Sequence, residues 1–171
     1  MKNRWISLVV ALLCLGSAMP VQASGPYDAK AVMFAQMMIP HHQQALLISQ
    51  WAMKQGDNAA VKKLAARIIA EQSPEINQMK KWIPANAMMG MDMPMPGLLT
   101  TAELSTLQAA RGKKFDGLYL VDMTMHHQGA ISMASPLTSS KNPEVAALCK
   151  SIVAGQSAEI KEMCRIMMTG K

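Results

Sequence analysis

The sequence predicts an all-α protein, a four-helix bundle built from two repeated antiparallel helical hairpins. Apolar residues recur at spacings of three and four in four separate stretches, which is the pattern of amphipathic helices. No stretch shows the two-residue alternation of a strand. The pattern of the first two stretches also returns, in the same order, in the last two. Two hairpins related in this way would pack as one bundle.

Residues 1–23 are predicted to be a cleaved secretory signal peptide. A positively charged start is followed by an apolar stretch over residues 6–15 and by a small-residue cleavage site that ends at Ala23. We therefore expect an exported chain with a single domain over residues 24–171. No later apolar run approaches the ~20 residues that span a bilayer, so the mature chain should contain no membrane span.

The first repeat is expected over residues 28–82, as helix A (28–55), a turn at 56–58 and helix B (58–82). Pro40 should kink helix A near Gln36. The core-facing stripe of helix A consists of Phe34, Met38, His41, Ala45, Ile48 and Ala52. The stripe of helix B consists of Ala65, Ile68, Gln72, Glu75, Met79 and Trp82, so both stripes contain polar residues.

A methionine-rich loop is predicted over residues 83–99, because its glycines and prolines disfavour a regular helix. Flexible thioethers could converge there on a soft metal ion. The alternative is an apolar linker that lies over the bundle. The methionines in question are Met88, Met89, Met91, Met93 and Met95.

The second repeat is expected over residues 101–168. Helix C should begin near Thr101, capped by Thr100 or Thr101, and continue to about Leu137. Helix D should begin at Pro143, after Asn142, and end near residue 168. Their stripes repeat those of helices A and B: Tyr119, Met123, His126, Ala130, Met133 and Leu137, then Cys149, Ile152, Gln156, Glu159, Met163 and Ile166.

The histidines form two adjacent pairs, His41–His42 and His126–His127, each with a methionine three residues before its first member. One such pair would be read as a core histidine beside a solvent-facing one. Two copies with the same flanks favour a metal site. His41 and His126 lie on the core stripes, whereas His42 and His127 lie about 100° round the helix, toward a neighbouring helix or the surface.

Imidazole and thioether donors together favour Cu(I), with Cu(II) or Ag(I) as further ions that such donors bind. The pattern does not suit a structural zinc site, which prefers Cys and His, or a di-iron site, which needs Glu-x-x-His motifs. No catalytic set is present, so we expect no enzyme. Glu75 and Glu159 should orient a histidine rather than bind the ion. The candidate ligands are His41, His42, Met38, His126, His127 and Met123, with Met37, Met79, Met163 and the five loop methionines as secondary or access ligands.

The charge distribution argues against a nucleic-acid partner, and the cysteine spacing argues against a disulfide between the two remaining cysteines. The net charge is +6, but the basic residues are dispersed and no aromatic residues interleave them, so a nucleic-acid partner is not expected. Cys149 and Cys164 would lie about 22 Å apart on one helix, too far for a disulfide, and Cys149 should be buried.

The repeated Met-x-x-His-His-x-x-Ala and Gln-x-x-Glu-Ile-x-x-Met segments resemble the DUF-305 family over about residues 30–168. The sequence departs from the family pattern five residues before each pair, where Gln36 and Val121 replace an Asp. The resemblance implies a ferritin-like fold. It also implies a periplasmic protein that sequesters, buffers or delivers Cu(I), or Ag(I), in copper resistance, with other periplasmic copper-handling proteins as partners.

Two other functions stay open at this stage. The first is a metal-dependent oxidase, for example one that oxidises Cu(I). The second is a metal-free protein-interaction module, because methionine-rich surfaces adapt to many partners. The oligomeric state is not predicted.

Overall fold

The computed structural model describes residues 26–85 and 95–170, and the regular secondary structure within these ranges is all helical. The helices are α1 (Ala29–Gln55), α2 (Ala59–Lys80), α3 (Thr101–Ala109), α4 (Gly112–Ala134) and α5 (Pro143–Thr169), with a 3-10 turn at Ser135–Leu137. The predicted all-α fold class is therefore confirmed. The predicted signal peptide and Met88, Met89, Met91 and Met93 lie outside the described residues.

Short polar side chains fix the starts of the helices, because they satisfy backbone N–H groups that have no partner within the helix. Asp28 accepts from the backbone N–H of Ala31 at the start of α1. Thr100 and Glu103 form a reciprocal capping box at the start of α3. Asn142 caps α5, as the sequence predicted.

The prediction of one continuous helix from residue 101 to about 137 is wrong. The chain leaves the helical conformation at Ala110, whose ψ is 155°, and α4 begins at Gly112 with a φ of +58°. Glycine adopts this left-handed conformation without steric cost. A Cβ at Gly112 would also lie 2.9 Å from a carboxylate oxygen of Asp57, so the break seats the chain against the α1–α2 turn.

Two hydrophobic clusters form the core, one toward each end of the bundle. The Trp82 cluster contains Phe34, Ile76, Trp82 and Cys149, and so joins the first halves of α1 and α5 to the second halves of α2 and α4. The Phe115 cluster joins the opposite halves. Helix α1 is therefore antiparallel to α2 and α4 and parallel to α5. The most extensive packing is within the α1–α2 and α4–α5 hairpins, followed by α1 against α4. None of the described helices is both long enough and apolar enough to cross a bilayer.

The connection from α2 to α3 crosses from the Trp82 end to the Phe115 end, which is the single long crossover typical of ferritin-like bundles. Its second described part, residues 95–100, lies directly on α1 and α4. The Gln44 amide donates to the carbonyl of Leu99 at 3.0 Å and accepts from its N–H at 2.8 Å. On the other side, a Cβ at Gly129 would lie only 1.9 Å from the carbonyl oxygen of Pro96.

Gln44 and Gly129 occupy equivalent positions in the two repeats, each three places after the first histidine of its pair. Gln44 clamps the edge of the crossover by hydrogen bonds, and Gly129 permits its close approach by having no side chain. The two repeats therefore differ at the position where the single connecting segment contacts both of them.

We predict that Gly129→Ala lowers the free energy of unfolding by about 2 kcal/mol, because the crossover must move to admit the methyl group. Gly117→Ala is the matched control, since it lies on the same helix and a Cβ there meets nothing within 4 Å. The control should raise stability by about 0.5 to 1 kcal/mol, the ordinary gain for this exchange within a helix. Urea unfolding measures both. Equal effects at the two positions would contradict the close packing of the crossover.

Candidate metal centre

A layer of polar side chains crosses the middle of the bundle. On each long helix these residues lie between those of the Phe115 cluster and those of the Trp82 cluster. Leaving such groups unpaired in a core is costly, so their arrangement calls for a partner. The polar layer consists of His41, His42, Gln72, Glu75, His126, His127, Gln156 and Glu159, and all are buried except the half-buried Glu75.

The first histidine of each pair meets its equivalent at the centre of the layer. The ring centroids of His41 and His126 are 3.8 Å apart, and both side chains are fully buried. The His126 and His127 rings are 6.2 Å apart. The two histidine pairs therefore form one cluster where α1 and α4 pack together, rather than two separate groups.

The second histidines lie against a neighbouring helix, which is one of the two positions predicted for them, and neither lies at the surface. His42 and His127 are both completely buried. Each forms a 2.8 Å hydrogen bond through Nε2, His42 with Glu75 and His127 with Glu159. A glutamate therefore contacts a histidine in each repeat as predicted, although its partner is the second histidine of the pair rather than the one on the core stripe. The helical register places each second histidine beside the core stripe of its own helix. There the other helix of the same hairpin covers it.

Hydrogen bonds determine which nitrogen carries a lone pair in three of the four imidazoles. Carboxylate and carbonyl oxygens accept, so Nε2–H of His42 and His127 donates to the glutamates, and Nε2–H of His41 donates to the carbonyl of Pro96 at 3.0 Å. In the neutral ring Nδ1 then holds the lone pair. Those three Nδ1 atoms are buried without a hydrogen-bond partner among the described residues, and neither nitrogen of His126 has one there.

Buried thioethers lie on both sides of the layer. Met38 and Met79 belong to the Trp82 cluster, whereas Met123 and Met163 belong to the Phe115 cluster, and all four are fully buried. The Thr124 hydroxyl donates to the Met163 sulfur at 3.6 Å. Imidazole lone pairs flanked by thioethers are the donor set that soft ions such as Cu(I) and Ag(I) prefer, so the residues present fit such an ion.

The arrangement is not a ready-made chelate of the hard or borderline type. Within residues 26–85 and 95–170, no three His, Cys, Asp or Glu side chains are grouped so that they could hold one metal ion. A metal ion held at this layer would therefore draw on the thioethers as well as the imidazoles.

Burial keeps the central imidazoles neutral. Desolvation lowers the pKa of His41 to about 4, although the hydrogen bond to the Pro96 carbonyl opposes the shift. The neighbouring His42 and His127 lower this pKa further. Burial also lowers the pKa of His126 well below its ordinary value, and His41 adds to the effect. At neutral pH these two rings therefore keep their lone pairs available to a metal ion.

The two glutamates have different surroundings. Glu159 is 3% exposed and Glu75 is 15% exposed. Arg67 contacts Glu162 closely and lies 3.7 Å from Glu159, so it supports the more deeply buried carboxylate. Ser151 occupies the position equivalent to Arg67 in the other repeat, and its hydroxyl supplies no such charge.

The remaining candidate ligands are spread along the chain. Met37 is half-buried on α1, and Met95 is half-buried in the crossover. The ligand roles predicted for these and for the buried methionines and histidines stay predictions. Sequence reasoning missed the part played by Pro96, whose carbonyl orients His41. Gly129 was the available signal, because it breaks the repeat at the place where the crossover approaches.

Both cysteines of the described residues are free thiols, as predicted, with Cys149 buried and Cys164 exposed. Burial raises the pKa of the Cys149 thiol to about 12, and the charge of Glu75 raises it further. Cys149 is therefore protonated at neutral pH and packs as an apolar side chain of the Trp82 cluster.

The fold and the layer define a class, that of helical proteins whose duplicated histidine pairs are buried at the centre of a bundle. The chain belongs to the DUF305 family: the family model, described as a domain of unknown function, matches residues 31–167. None of the curated proteins matches the chain.

Solved structures of related proteins share this fold. A candidate secreted DUF305 protein from Streptomyces coelicolor is 30% identical, with a TM-score of 0.73, covering 80% of this chain and 89% of its own. CopM in its Cu(II)-bound form is 35% identical, with a TM-score of 0.70, covering 82% of this chain and 97% of its own. CopM has also been solved in Cu(I)-bound and Ag-bound forms, which are 35% and 34% identical to this chain.

The metal-free protein should lose stability as the pH falls from about 6.5 to 4. The folded His41 has a pKa of about 4, against an ordinary value of 6.5, so the unfolded chain binds an extra proton between these values. The contribution of His41 is therefore full above pH 6.5, falls through the window and levels off below it, and that of His126, whose pKa is also lowered, falls as well when the pH drops below 6.5. His41 alone accounts for about 2 kcal/mol at pH 5. Chelator-treated protein unfolded with urea at several pH values measures the slope, and His41→Leu should flatten it. A parent curve flat from pH 7 to pH 5 would contradict the neutral, buried imidazole.

Proposed function

We propose that this protein is an exported copper-binding protein that sequesters, buffers or delivers Cu(I), and also binds Ag(I), in the periplasm as part of copper resistance. The observation that carries the proposal is the set of buried imidazole nitrogens without hydrogen-bond partners among the described residues, flanked by thioethers on both sides. The likeness to CopM, solved with Cu(II), Cu(I) and Ag bound, supports it. The candidate secreted relative supports export.

The charge of the donors favours Cu(I) over Cu(II). The candidate ligands are neutral imidazoles and thioethers, and burying a charge that ligands do not neutralise is costly. A singly charged ion incurs less of this cost than a doubly charged one. Glu75 and Glu159 supply negative charge one step away, through His42 and His127. They thereby hold the ring orientation and raise the basicity of the ligand nitrogen.

Competition against a chromophoric Cu(I) chelator tests the proposal with the mature chain. The double variant His41→Leu/His126→Leu removes the two central imidazoles while keeping apolar volume, and should weaken Cu(I) binding by about 100-fold or more, equivalent to about 2.8 kcal/mol. The control is Met33→Leu/Met53→Leu, which changes two exposed methionines of α1. That control should bind as the parent does.

A variant that lacks every one of the four histidines completes this experiment. If a folded variant with every histidine changed to Ala holds as much Cu(I) as the parent, the histidine layer is not the site. Binding would then rest on methionines alone.

Glu159→Gln should weaken Cu(I) binding by about 10- to 100-fold, because the amide holds His127 without the negative charge that strengthens its lone pair. Glu162→Gln is the control: it removes the same charge from the same helix, next to Arg67, without a hydrogen bond to a histidine. Its affinity should stay within about threefold of the parent. NMR of the His127 ring nitrogens gives a second readout, since Nε2 should carry the proton in the parent. An Nδ1–H tautomer there would contradict the assignment.

The proposal is one of binding without turnover. Oxygen uptake with Cu(I) supplied in excess separates this role from that of a Cu(I) oxidase. Catalytic oxygen consumption would show that the protein is a Cu(I) oxidase rather than a binding protein. A melting temperature unchanged by Cu(I) and Ag(I) would favour a metal-free interaction module, because a ligand of the native state must stabilise it.

A further inference from the structure

The polar layer is closed on one side and open on the other. On the α1–α4 side the crossover lies on the layer, with the Pro96 carbonyl bonded to His41 and Gly97 packed on the backbone of His126. On the opposite side, α2 and α5 pack far less closely than the helices of either hairpin. A groove of about 470 Å³ separates them there.

The groove has carboxylates at increasing depth. Its lining includes Glu71, Glu75 and Glu159, whose side chains are 49%, 15% and 3% exposed. The two deeper carboxylates are those bonded to His42 and His127. A series of negative charges therefore leads from the surface to the histidines, although the chain as a whole is positively charged, at +6.

The described residues that line the groove include no lysine or arginine. The guanidinium of Arg67 lies beside the groove, 3.7 Å from both Glu71 and Glu159. Burial raises the pKa of Glu71, and the charge of Glu159 raises it further, although the charge of Arg67 opposes the shift. The carboxylates thus repel one another across the groove, which a passing cation would relieve.

Two amides at the floor of the groove add an independent observation. Gln72 is 2% exposed and Gln156 is 4% exposed, and both line the groove. Within the part of the chain that the structure describes, neither the oxygen nor the nitrogen of either amide has a hydrogen-bond partner. The two are equivalent positions of the two repeats, and both belong to the polar layer as well as to the lining of the groove. Unpaired buried amides at the bottom of an acidic groove are suited to a hydrated cation, which supplies both charge and hydrogen-bonding water.

We propose that the α2–α5 groove is the route by which a hydrated copper or silver ion passes between solvent and the polar layer. The inference rests on the proposed function, because the layer is its destination. The carboxylates attract the ion, the two amide oxygens replace part of its water, and the imidazoles and thioethers beyond take it from these oxygen ligands. The groove therefore sets the rate of exchange, while the layer sets the affinity.

Gly155 offers a way to obstruct the groove without changing a candidate ligand. It lines the groove on α5, and a Cβ there would meet only the Glu71 carboxylate, at 3.8 Å. A large side chain would project across the opening. Gly117 is the matched control, because it also lies within a helix and a Cβ there meets nothing within 4 Å. It lies on α4 and does not line the groove.

The experiment loads the mature protein with Cu(I), mixes it with saturating bathocuproine disulfonate and follows release by stopped-flow absorbance. Gly155→Phe should release Cu(I) about tenfold more slowly or slower still, as expected when access rather than bonding limits exchange. Its equilibrium affinity should stay within about threefold of the parent, since entry and exit slow together. Gly117→Phe should release at the parent rate. Gly155→Leu replaces Gly155→Phe if circular dichroism shows that the larger side chain prevents folding.

Two outcomes overturn the route. The first is a Gly155 variant that releases Cu(I) as fast as the parent, or is slowed no more than the Gly117 variant. The second is a folded Gly155 variant whose affinity falls more than about tenfold, which would make the groove part of the binding site. Failure of the parent to bind Cu(I) at all is a separate result, seen in the titration of the parent alone, and it would remove the proposed function itself.

Discussion

Four imidazoles buried at the centre of a helical bundle require partners, and the described residues supply one to three of them. Glu75 and Glu159 hold the outer pair of rings, and the Pro96 carbonyl holds His41. These bonds use the same nitrogen of each ring and leave the other without a partner among the described residues. The layer is thus only partly satisfied, because these ring nitrogens and the amides of Gln72 and Gln156 have no partner among the described residues, and this is expected of a site that binds an additional ligand.

The apolar clusters on either side give this centre its chemical character. They exclude water, which lowers the pKa of the central rings, and they contribute one pair of buried thioethers from each end. A water-filled centre with the same histidines would protonate more readily and would bind harder ions better. Selectivity for a soft, singly charged ion therefore depends on the packing of the core as much as on the ligands.

Much of the fold could be predicted from the sequence because the helices are indicated by the regular spacing of their apolar residues. The stripe positions, the turn at residues 56–58, the caps at Thr100 and Asn142 and the polar interruption of the core all follow from local pattern. Two features did not. The break before Gly112 depends on contact with Asp57, which is distant in sequence, and the burial of His42 depends on where Glu75 lies on a neighbouring helix. The apolar pattern of one helix shows which of its residues face the core. It does not show which neighbouring helix packs beside those residues.

The asymmetry of the crossover has a consequence for how such a protein arises. A symmetric homodimer of half-length chains would surround its histidine layer with equivalent residues from the two chains. Fusion of the two halves provides one connecting segment, and on the α1–α4 side this segment contacts the two repeats differently, by hydrogen bonds with Gln44 and by close packing on Gly129. Gene duplication and fusion would therefore make two initially equivalent histidines different, because the crossover holds His41 through the Pro96 carbonyl and His126 has no such bond among the described residues.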